Sequence, residues 1–198
     1  YRDIYKTSLI LFLIGLLGYF FNVGFNALLA QHVSTALFGD FSVALRVLNL
    51  VSVYMLFGTL SSSKRFYSAY LKSNKINTAS KYINWNLRLI LISSAFFLIL
   101  LTALAIVIVA LHVFQIYDIR QYHLLVYFLW LAPVNAFTLL ISSYLICDRD
   151  VYLGAFFDAT GFYFFGIILL LPIIYLFHIS FHTVYLWFFM FGIFMVMA

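Results

Sequence analysis

Residues 87–114 read LRLILISSAFFLILLTALAIVIVALHVF, with Arg88 as the single charge and neither Pro nor Gly. A hydrocarbon core about 30 Å thick asks for roughly 20 apolar helical residues, and this stretch exceeds that. Its apolar positions run consecutively instead of alternating, which favours a helix over a barrel strand. Four more runs share this character, near 8–31, 41–60, 124–146 and 152–177, and a sixth covers 183–198. The expected fold class is therefore all-α: a polytopic membrane helix bundle of about six transmembrane helices. No repeat of 20 to 50 residues and no Pro-, Gly- or Ser-rich linker divides residues 1–198, so one bundle is the simplest domain organisation.

Composition agrees. Of 198 residues, 66% are hydrophobic, 21% aromatic and only 9% charged, against about 25% charge in soluble domains. A mean hydropathy of +1.10 excludes both a soluble globular domain and a disordered chain. The lone Cys147 rules out an intrachain disulfide. A formal net charge of +5 would suit nucleic acid, but the cations cluster in one interhelical stretch, which fits an anionic membrane surface better.

The cations also orient the chain. Arg2 and Lys6 precede the first run. Lys64, Arg65, Lys72, Lys75, Lys81 and Arg88 flank or fill the second connection, and Arg149 lies in the fourth. Arg120 alone occupies an odd-numbered connection. By the positive-inside rule the N-terminus is expected in the cytoplasm, with 61–86 as a cytoplasmic basic connection. Within it Ile76, Ala79, Ile83 and Leu87 recur at helical spacing, an amphipathic pattern expected to lie on the inner leaflet before turning into the third span. The first run lacks a cleavage site and reads as a retained helix. The start at Tyr1 and the short final run suggest a fragment of a longer protein.

Polar residues inside the runs are the informative ones, because lipid anchoring alone does not require them. At 100° per residue Gly15, Tyr19, Asn22 and Asn26 share one face, and so do Ser42, Arg46 and Asn49, with Ser52 off the edge. The fourth run offers Asn135, Thr138 and Ser142, the fifth Gly154, Asp158 and Gly161. Gly and Ser in such stripes ordinarily make packing seams. Charges are different, since one at mid-membrane costs at least about 2.5 kcal/mol on insertion scales. Arg46 either lines a wet cavity or snorkels to the outer headgroups. Asp158 either pairs with a basic residue or carries a coupling proton. Pro133 and Pro172 are expected to bend their helices.

His178 and His182 stand four apart, but no Cys or carboxylate nearby completes a metal site; with His32 they read as interfacial. Trp85, Trp130, Trp187, Tyr122 and Tyr175 fit interface belts or bundle packing. No nucleotide loop, nucleophile elbow or intramembrane carboxylate pair suited to acid and base work is present, so neither an enzyme nor a cofactor nor a nucleic-acid partner is expected.

Three segments carry a family resemblance. The turn Leu37-Phe38-Gly39-Asp40-Phe41 resembles the small residue, Gly, aromatic turn of the polysaccharide exporters in the multidrug, oligosaccharidyl-lipid and polysaccharide exporter superfamily. Gly58 to Ser63 leading into Lys64-Arg65-Phe66-Tyr67-Ser68-Ala69-Tyr70, then polar Leu71 to Lys81, is similar to that family's basic exit from the second helix. Tyr127 to Asp148, with Pro133 inside it, resembles its fourth helix. The resemblance implies a transporter of two six-helix lobes, this chain being the N-terminal one and the C-terminal lobe of the same chain its partner. It would flip an undecaprenyl-diphosphate-linked oligosaccharide from the inner to the outer leaflet of the cell inner membrane by alternating access, for surface polysaccharide biosynthesis. Arg46 would attract the diphosphate. Asn22, Asn26, Asn49 and Asn135 would hydrogen-bond sugar or headgroup, since amides both donate and accept. One intramembrane Arg is few for so anionic a substrate, so further cations would come from the other lobe.

Two alternatives compete. A cation-coupled drug or metabolite antiporter of the same superfamily would make Asp158 the ion-coupling centre. An integral membrane enzyme or assembly subunit would need a titratable cluster converging at one depth, which the sequence does not show.

Overall fold

The computed structural model describes residues 2–113, 123–148, 150–177 and 183–197. Arg120, Tyr122, Arg149, His178 and His182 fall outside the described residues, and Arg2 and Trp187 are described for their backbone alone. Among the described residues every regular element is a helix. Three are long and apolar enough to cross a membrane, Tyr5–His32, Thr35–Met55 and Ile76–Leu111, and shorter apolar helices cover Ala132–Cys147, Phe162–Tyr175 and Phe188–Met197. The chain is a helical membrane protein.

The first helix, α1 (Arg2–His32), is followed by a two-residue turn in which Ser34 adopts extended backbone and its hydroxyl accepts from the Leu37 amide at 3.4 Å. That cap starts α2 (Thr35–Met55). α2 ends where Phe57 and Gly58 take consecutive positive φ values, 45° and 77°. Gly58 tolerates this conformation, whereas Phe57 holds it at a steric cost. The chain then continues as α3 (Thr59–Ser62), a π turn over Ser63–Tyr67 and α4 (Ser68–Lys72). Asn74, with φ of 53°, reverses it into α5 (Ile76–Val113).

α5 is one helix of 38 residues, about 57 Å long and close to twice the hydrocarbon thickness. The amphipathic segment before the third run is thus the start of that helix, with no turn between them. Protein holds one side of it. Ala79 and Ile90 are buried; Tyr82 donates its hydroxyl to Ser62 Oγ at 2.9 Å; Asn86, 1% exposed, donates to Tyr144 Oη at 2.7 Å and Ser63 Oγ at 3.4 Å. Ser93 ties α5 to the end of α2 through Met55 O at 3.0 Å. Buried amides demand partners, and Tyr144 together with Ser63 of the first π turn supplies them.

The fourth run is two helices, α6 (His123–Leu129) and α7 (Ala132–Cys147), because Pro133 occupies the first turn of α7, where its missing N–H is harmless. Pro133 therefore marks a break, not a bend within one helix. The fifth run is α8 (Val151–Phe156), a π turn over Phe157–Gly161 and α9 (Phe162–Phe177), which continues through Pro172; α10 (Thr183–Met197) closes the described chain.

α1 packs chiefly on α8, the second π turn and α9, not on its sequence neighbour α2, which instead packs on α6 and α7. α10 lies against α9, α6 and α7, and α5 stands at the edge. Phe25 is the hub of the core. It is fully buried, with ring centroids of Phe41, Phe162, Tyr163 and Phe189 between 5.9 and 6.2 Å away. Gly166 admits this ring: a Cβ there would stand 2.9 Å from Phe25 Cε2. α7 and α8 approach as closely at Gly154, where a Cβ would stand 2.6 Å from the Ile146 amide nitrogen. Outward faces remain apolar and uncovered, as lipid contact requires: Leu9, Phe12, Leu17, Ile92, Phe96, Ile99 and Ile106 are all exposed.

Candidate functional site: a polar cleft between helices

The helix stripes converge in part. A cleft of about 120 Å³ is lined by Asn49 of α2, by Asn135, Thr138 and Ser142 of α7, by Asp158 of the second π turn, by Tyr163 of α9 and by Phe194 and Met197 of α10. All three polar residues read from the fourth run face it.

Asn135 organises the cleft. Its amide Nδ2 donates to Asn49 Oδ1 at 2.9 Å and to Ser52 Oγ at 3.0 Å, bridging α7 and α2. Ser52, fully buried, lies 2.8 Å from Leu48 O and 3.1 Å from Ala132 O, so its one proton is shared between carbonyls. The Thr138 hydroxyl donates to Asn135 O at 2.8 Å and the Ser142 hydroxyl to Leu139 O at 3.1 Å. The network satisfies its own buried members while Asn49 stays exposed at the margin.

Asp158 is exposed on the cleft and makes no ion pair with a described residue. Its π turn widens the helix by one residue, a device frequent at functional sites. Thr160, in the same turn, donates to Ile14 O of α1 at 3.1 Å, which ties the turn down.

Arg46, Asn22 and Asn26 do not line this cleft. The buried residues Phe41, Ala44, Leu48, Ser52 and Met55 define the inward direction of α2; Arg46 lies about 160° from it and Asn49 about 100°. Arg46 is exposed on the outward side. Asn22 and Asn26 are half-buried and bonded to each other within α1, with Asn26 Nδ2 2.9 Å from Asn22 O. Sequence reasoning missed Ser52, which it set off the edge of the α2 stripe, and Tyr163. The three-residue step from Asn49 to Ser52 was the available signal. It also missed the second polar cluster around Asn86, Ser63 and Tyr144.

Comparison with family models, with curated proteins and with solved structures finds no match to this chain.

Proposed function

We propose that this chain is a lobe of a membrane transporter that flips an undecaprenyl-diphosphate-linked oligosaccharide to the outer leaflet of the cell inner membrane, with its N-terminus cytoplasmic, six spans, and a second lobe completing the pathway. The observation that carries this reading is the polar cleft: amides, hydroxyls and a carboxylate gathered from α2, α7 and the turn before α9 in an otherwise apolar bundle. Amides and hydroxyls that donate and accept suit a polyhydroxylated solute. As it stands the cleft is smaller than the roughly 300–1,000 Å³ of small-molecule sites. Passage of a glycan therefore requires α2 to part from α9 and α10, an alternating-access step that binding must favour. Arg46, on the outward side of α2, would meet the diphosphate in the space shared with the other lobe.

The test is surface glycan in cells expressing Arg46→Ala or Asn135→Leu at matched membrane levels. Loss of surface polysaccharide with normal insertion supports flipping, and normal glycan in both variants overturns it.

Asp158 favours a second reading, cation-coupled antiport. A cleft of about 120 Å³ bearing a carboxylate fits a hydrated cation better than a sugar. Under that reading Asp158→Asn abolishes proton- or sodium-dependent efflux and leaves surface glycan untouched.

A further inference from the structure

A groove of about 1,200 Å³ runs along the outside of the bundle between the end of α2 and α5. Its walls are apolar, with Phe57, Ile92, Phe96 and Phe97 prominent, and Trp85 and Arg88 stand at one end. We propose that this groove seats an acyl chain of an anionic membrane phospholipid whose phosphate is held at Arg88.

Three observations carry this. The first is dimension. From Trp85 to Phe97 the α5 wall rises about 18 Å, which matches the roughly 15 Å depth of one leaflet's hydrocarbon. A single acyl chain thus spans the length of the groove when its headgroup is level with Trp85 and Arg88, the Trp and Arg pairing usual at membrane interfaces. The second is charge. Between Asp40 and Asp118 the sequence has no acidic residue, while Arg46, Lys64, Arg65, Lys72, Lys75, Lys81 and Arg88 all fall in that interval. Among the described residues no carboxylate lines the groove, so an anionic headgroup meets no repulsion from them.

The third is the wall itself. Phe57 holds positive φ, a conformation that strains a bulky residue, while the residue stays 73% exposed beside the groove. Strain that buries nothing within the protein is offset when an apolar partner covers the ring. The opposite wall is anchored by the Ser93 bond to Met55 O, so the groove is a built feature and not a gap between loose helices.

The test uses the full chain in nanodiscs, with Trp130→Phe and Trp187→Phe leaving Trp85 as the sole tryptophan, excited selectively over the tyrosines. Brominated phosphatidylglycerol is expected to quench Trp85 with about a fivefold preference over brominated phosphatidylcholine at equal mole fraction, the effect of one basic residue at an anionic headgroup. Arg88→Gln is expected to erase the preference while leaving quenching by phosphatidylcholine intact, and Arg88→Lys to retain it. Equal quenching by both lipids before substitution, or a preference that survives Arg88→Gln, overturns the proposal. Quenching absent with either lipid means the groove is covered by protein and overturns it as well.

Discussion

Asn135 on α7 donates its amide to Asn49 on α2 at 2.9 Å, and the same nitrogen reaches Ser52 at 3.0 Å. One buried side chain thus holds the two helices that wall the polar cleft, and its partners leave the outer edge of Asn49 open. Interhelical hydrogen bonds within membranes average about 0.6 kcal/mol and reach about 1.7. A double-mutant cycle of Asn49→Ala and Asn135→Ala is expected to give coupling in that range, read from reversible unfolding in detergent micelles. Strict additivity would mean that the pair does not hold α2 to α7.

Glycines separate seams from open faces. At Gly154 a Cβ would meet the Ile146 amide nitrogen at 2.6 Å and Ser142 O at 2.9 Å, and backbone cannot swing aside. Gly154→Ala is therefore expected to lose about 1–3 kcal/mol through overpacking. Gly15 and Gly39 have nothing within 4 Å of such a carbon, so the same substitution there is expected to stay within about 0.5 kcal/mol of the parent. Thermal unfolding of the three variants in one detergent checks the contrast.

The polar cluster under α5 supports a third expectation. Asn86 bonds Tyr144 and Ser63 and is 1% exposed, so Asn86→Leu removes the buried donor that both hydroxyls accept from and loosens the α3–α4 segment against α5 and α7. A cost of about 1–3 kcal/mol follows from unsatisfied buried groups. Limited proteolysis at Lys64, Arg65 and Lys72 should speed up in parallel, while Asn84→Leu, exposed on the same helix, leaves cleavage unchanged.

The long apolar runs announced α1, α2 and α5, because length and hydropathy are local quantities. The stripe Asn135, Thr138 and Ser142 was readable for the same reason, since α7 is regular along its length. The left-handed step was half legible: Gly58 advertises it, but a Phe at positive φ runs against the preference of its own residue type. The turn at Phe157–Gly161 has no sequence signature, yet its inserted residue shifts the register and sets where Asp158 sits relative to Gly154. The segment 74–88 has an amphipathic pattern that a leaflet and a protein surface satisfy equally. Only the tertiary partners Ser62, Ser63 and Tyr144 decide between them.

Arg46 gives the last expectation. It projects from the side of α2 opposite the buried Leu48 and Ser52, so it faces either acyl chains or water held between this bundle and another. The two surroundings differ energetically. An Arg at the centre of a span costs about 2.5–3.5 kcal/mol on insertion scales, and Arg46→Leu would recover that amount if the side chain met hydrocarbon. A hydrated position recovers none of it. Under the flippase reading, Arg46→Leu is therefore expected to change stability in micelles by less than about 0.5 kcal/mol while surface glycan disappears. A variant that gains several kilocalories and still exports glycan would place Arg46 against lipid and remove it from the transport path.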